Sequence, residues 1–335
     1  MARIAAACLL SLLLYAVLFG MILDRPLSHG MLRAGVDAAI LRGEAIGTPK
    51  LVILAGSNGP YSHRCETIEP ILARPCVNAG VAVGIGLDYL FARWRTLLRA
   101  GDVVYLPLEQ VQYSRTRSAT ALGPDAAIML RHDRDTLARL PADRWLGALF
   151  AFDLRALVMS LIEQTLLAAG FHDPRAGVTG GTNAWGDHVG HTAARAAANE
   201  AILAAAGPVS VSAASITQGD GTRIVAAFLA WANANGVRVV GGLPTGFADA
   251  PLPDATLDAI QSVYRDGGAE FLMLPNRSRY PRSWFFDTPD HLHEDAQIAH
   301  SRLVAHALRR LLDQRGPQPD GVDLVLRAAG SSSPR

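Results

Sequence analysis

The chain has 335 residues, half of them hydrophobic and 18% charged, with a formal net charge of +1. That length allows one large domain or two ordinary ones, and the apolar fraction supports a sizeable core. So little net charge gives no electrostatic case for nucleic acid or for an acidic surface. Among the 31 basic residues Lys50 is the single lysine, which reads as genomic base composition and not as function.

Arg3 precedes an uncharged run, Ile4 to Leu23, closed by Asp24-Arg25-Pro26. A stretch of about 20 apolar residues is the length that crosses a bilayer, and it exceeds an ordinary signal-peptide core. No Ala-x-Ala site follows, so residues 1–27 read as an uncleaved anchor, with a removed signal as the alternative. Export of the remaining chain is the default for such an anchor. Residues 29–42 form a short amphipathic helix.

Lys50-Leu-Val-Ile-Leu-Ala-Gly-Ser-Asn-Gly59 is the organising stretch. An unbroken apolar run stopped by glycines predicts a strand buried on both faces, as in a parallel sheet. Helical spacing covers Tyr61 to Leu72 and places His63 on an exposed face. Cys76-Val77-Asn78 is a second strand, Leu87 to Leu98 a helix and Val103 to Pro107 a third strand. Alternation of this kind specifies right-handed parallel βαβ units. Cys65 and Cys76 flank one predicted helix, and the spacing allows either a disulfide or two buried thiols.

Residues 114–189 read as an insertion, irregular to about residue 150. Phe150 to Ala169 is an apolar helix carrying Asp153, Arg155 and Glu163, charges too costly for a second span, so a buried or lid helix is expected. A glycine-rich loop (171–189) and an alanine-rich helix to about Ala206 follow. The alternation then resumes with a helix over 223–234, a strand over 237–243, a helix over 254–266, a strand over 270–274 and a closing helix over 294–314. The domain thus spans 28–315, and 316–335 is a loose tail rich in Pro, Gly and Ser. No nucleotide-binding glycine signature occurs.

In parallel sheets ligands bind beyond the carboxyl ends of the strands, where Ser57 lies. A serine there serves either as a nucleophile or as a helix N-cap. The last strand leads into a loop holding Asp287, Asp290 and His291. Histidine suits the role of base, with a carboxylate to fix its tautomer; Asp287 can fold back onto the ring, and Asp290 ranks second. His291-Leu-His293-Glu-Asp295 also matches half of a metal-binding pattern, but its closing histidine is replaced by Ala296. An α/β-hydrolase is a rival reading of Gly56-Ser57-Asn58-Gly59, although its acid and histidine normally come from separate strand ends.

In order and position these pieces resemble the SGNH (GDSL-type) hydrolases. Gly56-Ser57-Asn58 looks like the block that carries the nucleophile. Val77-Asn78-Ala79-Gly80 looks like the second block, whose glycine N–H serves the oxyanion hole, and Asp287 with His291 like the last block. The runs 86–90, 101–109 and 285–292 are similar to a branch associated with exopolysaccharide O-acetylation of cellulose or alginate type, with a weaker likeness at Trp185-Gly-Asp187. The resemblance implies a three-layer α/β/α, flavodoxin-like domain with a five-stranded parallel sheet. It implies a serine esterase or O-acetyltransferase anchored to the inner membrane and facing the periplasm, or secreted there. It further implies a polysaccharide substrate, a membrane acyltransferase and a polysaccharide synthase complex as partners, and neither a cofactor nor nucleic acid. Two departures stand out. The third block's oxyanion-binding asparagine is missing from Pro107-Leu108-Glu109-Gln110, and an ionised carboxylate cannot donate. Either Asn58 or Gln110 substitutes, or the chain is a slow enzyme or a non-catalytic assembly or glycan-binding protein. Glu109 and Gln110 are possible substrate contacts, Glu109 alternatively a structural carboxylate. The Asp-to-His interval is also one residue longer than in the family.

Overall fold

A computed structural model describes residues 1–22, 27–47, 49–150, 154–171, 181–207 and 211–313. The tail expected over 316–335 lies outside the described residues. Seven strands occur in chain order: β1 (Leu51–Ile53), β2 (Cys76–Asn78), β3 (Val103–Leu106), β4 (Arg238–Gly242), β5 (Gly246–Phe247), β6 (Glu270–Leu272) and β7 (Arg279–Tyr280). Five of them form one parallel sheet in the order β2-β1-β3-β4-β6, while β5 and β7 pair separately. The register sets Val52 against Val77 and Val104, and Val104 against Val239.

Alternation along each strand decides which face it feeds. Val52, Leu54, Val104 and Val239 point into a core shared with Leu90, Phe91, Phe228 and Ile260. Those partners come from helices Leu87–Arg95, Asp220–Ala234 and Asp254–Asp266. Leu51, Ile53, Val103 and Val240 point the other way, onto Ile68 of helix Cys65–Leu72 and Val304 and Leu308 of helix Glu294–Asp313. Apolar residues on both faces explain why these strands read as unbroken runs and not as alternating ones. Helices therefore cover the sheet on both sides, and the loops at its carboxyl edge are held between two packed layers.

Several expectations change. The helix expected over 61–72 is two helices, Asn58–Ser62 and Cys65–Leu72, with His63 and Arg64 extended between them. The break has a local cause: the buried Asp187 carboxylate accepts the backbone N–H groups of Cys65 and Glu66 and starts a second helix. His63 is not exposed but fully buried, its ring edge-on to Tyr105 of the sheet and to His300 of the terminal helix. Residues 110–150 are largely helical, in five short segments ending with Ala142–Phe150. Helix Leu154–Ala168 is not buried: Val158, Met159, Leu161, Ile162 and Leu166 are all exposed. Cys65 and Cys76 are joined in a disulfide, with Cα atoms 5.3 Å apart, tying the second helix to the start of β2. Ala2–Ile22 is one long helix, and its apolar part, Ala2–Gly20, is long enough to cross a membrane and is unburied.

Candidate active site

Ser57 follows β1 at the carboxyl edge of the sheet and precedes the one-turn helix Asn58–Ser62. It occupies the N-cap position, yet its side chain makes no capping hydrogen bond. Its Oγ instead lies 2.8 Å from Nε2 of His291, a residue 234 positions away in sequence. The helix-cap reading of Ser57 therefore does not describe this hydroxyl.

His291 is presented by a loop that closes on itself. Phe285 and Leu292 form an antiparallel bridge, the Phe286 N–H donates to the His291 carbonyl at 2.8 Å, and both apolar side chains of the bridge are fully buried. That turn brings Asp287 back onto the ring, with Oδ1 2.7 Å from Nδ1. The four-residue step from Asp287 to His291 is spanned by this closure. Tyr61 fixes the imidazole plane: its ring stacks on His291 at 4.1 Å and 11°, and on His188 at 4.2 Å. Both nitrogens of His291 are thus committed, one to a carboxylate and one to a hydroxyl. That arrangement lets Nε2 take a proton from Ser57 while Asp287 stabilises the resulting imidazolium.

Gly80 comes close to the serine turn. A Cβ on it would lie 2.7 Å from the Gly56 carbonyl oxygen and 2.8 Å from Cα of Gly59. Only a glycine pair permits that approach, and the Gly80 N–H makes one long bond, 3.4 Å to Asn78 Oδ1. Asn58 is placed differently from the expectation for an oxyanion donor. Its side chain is buried, with Nδ2 donating to the Pro107 carbonyl at 2.7 Å, so it fastens the serine turn to the end of β3.

Glu109 carries its carboxyl to both neighbours of Ser57. Oε1 accepts the Asn58 N–H at 3.3 Å and would be 2.5 Å from a Cβ on Gly56. Only 5% exposed, it has no ion-pair partner among the described residues. Burial, and then the nearby Asp290 carboxyl, push its pKa up to about 8. Burial likewise raises Asp290, but His291 and Arg279 oppose that rise. Asp290 sits apart from the imidazole bond, its backbone carbonyl accepting from Ser62 and Thr245 hydroxyls at 2.7 and 3.0 Å. Its side chain and Gln110 line a cavity of about 140 Å³ with Thr245, Phe247 and Arg279. On the Gly80 side a cavity of about 350 Å³ is bounded by Tyr61, Val81, Trp185 and His188.

Several residues here are not visible in sequence. Asp187, singled out only with Trp185, accepts from Asn78 Nδ2 as well as from the helix start, and so binds the last part of the insertion to the site. His188 and His191 enclose Tyr61, and burial pushes their pKa values down to about 4 and about 3, so both are neutral at pH 7. His63 meets His300 at 3.4 Å, and His300 meets Tyr280 at 2.8 Å, forming a buried polar chain. No periodicity or spacing links these residues before the fold is formed. No family model, curated protein or solved structure matches this chain.

Proposed function

We propose that the chain is an SGNH-type serine esterase or O-acyltransferase acting on a polysaccharide outside the cytoplasm. The observation that carries this reading is the hydrogen-bonded series Ser57 Oγ, His291 Nε2, His291 Nδ1 and Asp287 Oδ1. The strand order supports it as well: counting only the main sheet it is 2-1-3-4-5, the flavodoxin-like order, with the serine after the first strand. Ser57 Oγ attacks the acyl carbonyl and its proton passes to His291 Nε2. The tetrahedral oxyanion receives the N–H groups of Ser57 and Gly80. Glu109, held neutral, adds an O–H from the position where the family's asparagine is absent, as a buried acid can when its site keeps it protonated. His291 then protonates the departing sugar oxygen, leaving an acyl-serine. Water or a second hydroxyl, deprotonated by the same imidazole, completes hydrolysis or transfer.

The long apolar N-terminal helix is compatible with a membrane-tethered enzyme; the reading sets this domain in the periplasm, close to a membrane acyltransferase and a polysaccharide synthase. The cavities beside the triad are the place for a glycan, and Gln110 and Asp290 offer hydrogen bonds to its hydroxyls. A fluorophosphonate probe tests the reading. Wild type should be labelled at Ser57, and should cleave an acetyl ester and acetylated glycan, while Ser57→Ala does neither. An unlabelled wild type would instead point to a non-catalytic assembly or glycan-binding protein.

A further inference from the structure

Two helices of the segment 142–168 are built inside out. In Leu154–Ala168 the stripe that turns inward is Ser160, Glu163, Gln164 and Leu167, spaced i, i+3, i+4, i+7; Ser160 is 3% exposed and the other three are half-buried. The outward face carries Val158, Met159, Leu161, Ile162 and Leu166, each 44–47% exposed. Ala142–Phe150 follows the same rule. Its inward side holds Arg144, only 2% exposed and ion-paired with Asp88 and Asp125, while Trp145, Leu146, Leu149 and Phe150 face outward. A helix of the same chain that faces water does the opposite. Asp254–Asp266 buries Leu257, Ile260, Val263 and Tyr264 and exposes its acids.

Water does not favour an exposed apolar surface of this extent on a soluble domain. A lipid environment does, because there polar groups turn inward and apolar ones outward. The occupant is identified by what lies alongside. The Tyr15 hydroxyl of the Ala2–Ile22 helix donates to the Leu149 carbonyl at 2.7 Å, and the Tyr15 ring stands 6.1 Å from that of Phe150. The apolar face of Ala142–Phe150 is thus continuous with the helix that has the length and composition of a span, and Leu154–Ala168 follows it in the chain after three residues. Tyr15 lies seven residues before the end of that helix, about 10 Å along its axis by the helical rise. That distance agrees with the ~5–10 Å to which interfacial helices sink.

We propose that helices Ala142–Phe150 and Leu154–Ala168 lie in the outer bilayer interface against the anchor helix, so that the domain is seated in the membrane as well as tethered to it. Trp145 then occupies the headgroup boundary that such aromatic residues favour. The seat is independent of whether Ser57 turns over substrate.

Site-directed spin labels on the full chain test this. In a Cys8→Ala background, Leu10→Cys, Leu149→Cys, Ile162→Cys and Asp258→Cys are labelled one at a time and reconstituted in phosphatidylethanolamine–phosphatidylglycerol vesicles. The labels at 149 and 162 should collide with oxygen in preference to a water-soluble nickel chelate, as the label at 10 does, and the label at 258 should show the reverse. Aqueous behaviour at 149 and 162 with lipid behaviour at 10 overturns the seat while leaving the span intact. Aqueous behaviour at all three removes both. Spin–spin broadening at 162, with shielding from both reagents, would mean that a second copy covers this face, and would also overturn the proposal. A Leu161→Asp/Ile162→Asp variant, checked for folding in detergent, should become extractable from vesicles under milder conditions than wild type.

Discussion

The two ends of the central sheet treat buried charge in opposite ways. At the amino edge Asp102 is fully satisfied: Lys50 Nζ lies 2.8 Å away, and the backbone N–H groups of Lys50 and Arg99 donate at 2.8 and 2.9 Å. At the carboxyl edge the buried Glu109 accepts the Asn58 N–H and, in a capping box, the Gln112 N–H, but among the described residues it has another acid and no cation for a neighbour. Closing every bond around a charge produces a strut. Leaving a carboxyl short of cations keeps a proton on it, ready to be presented to something else. The contrast agrees with the proposed function, which gives one edge to rigidity and the other to chemistry.

Breaking the chemical edge should have the largest effect. Ser57→Ala should lower ester cleavage by at least about 10⁴-fold, ~5.5 kcal/mol of transition-state stabilisation, with the thermal midpoint nearly unmoved. Asp287→Asn should cost about the same by presenting the wrong imidazole tautomer. The structural edge should answer in the other observable. Lys50→Met leaves a buried carboxylate alone, and should cost about 3–5 kcal/mol in urea unfolding while activity per folded molecule is retained.

Glu109 sharpens the comparison because it can be tested for both. Glu109→Ala should reduce turnover by about 10²–10³-fold, whereas Glu109→Gln restores a neutral donor and should stay within roughly tenfold of wild type. Wild-type activity should decline above about pH 8 as the carboxyl ionises, and the Gln variant should lose that limb. Stability follows the same proton. Between about pH 4.5 and 8 the folded chain keeps a proton that the unfolded chain has released, so this group's contribution is full below that window and lost as pH rises through it. Urea titrations should show the slope in wild type and not in Glu109→Gln; identical slopes would mean that Glu109 is already ionised at pH 7. Smallest of all, reducing the Cys65–Cys76 bridge should cost about 2–3 kcal/mol, as expected for a loop of that length, and leave the triad geometry in place.

Much of this architecture is legible in the chain because a doubly covered parallel strand is an uninterrupted apolar run. Leu51–Ala55 and Val103–Leu106 cannot easily be anything else. Ser57 is legible for a related reason, standing directly beyond such a run, and Asp287 and His291 stand in the long polar stretch between the last run and the closing helix. What sequence does not reveal is orientation and remote pairing. Nothing near His63 indicates that it turns inward to meet His300, or that Asp187 reaches across 122 residues to start the helix at Cys65. The apolar count of 154–168 is also silent on whether protein or lipid faces those side chains. The proposed lipid seat rests instead on the half-buried Glu163 and Gln164 standing opposite exposed apolar side chains.

The bond between Ser57 and His291 is a long-range one, and this has a consequence for biogenesis. A chain threaded through a membrane amino end first would deliver Ser57 long before the loop around Phe285 and Leu292 has emerged and closed. During that interval the hydroxyl is an ordinary alcohol with no base beside it. If Ser57 is the nucleophile proposed above, it would be armed only once that loop closes, and immature chains in transit would leave neighbouring esters untouched.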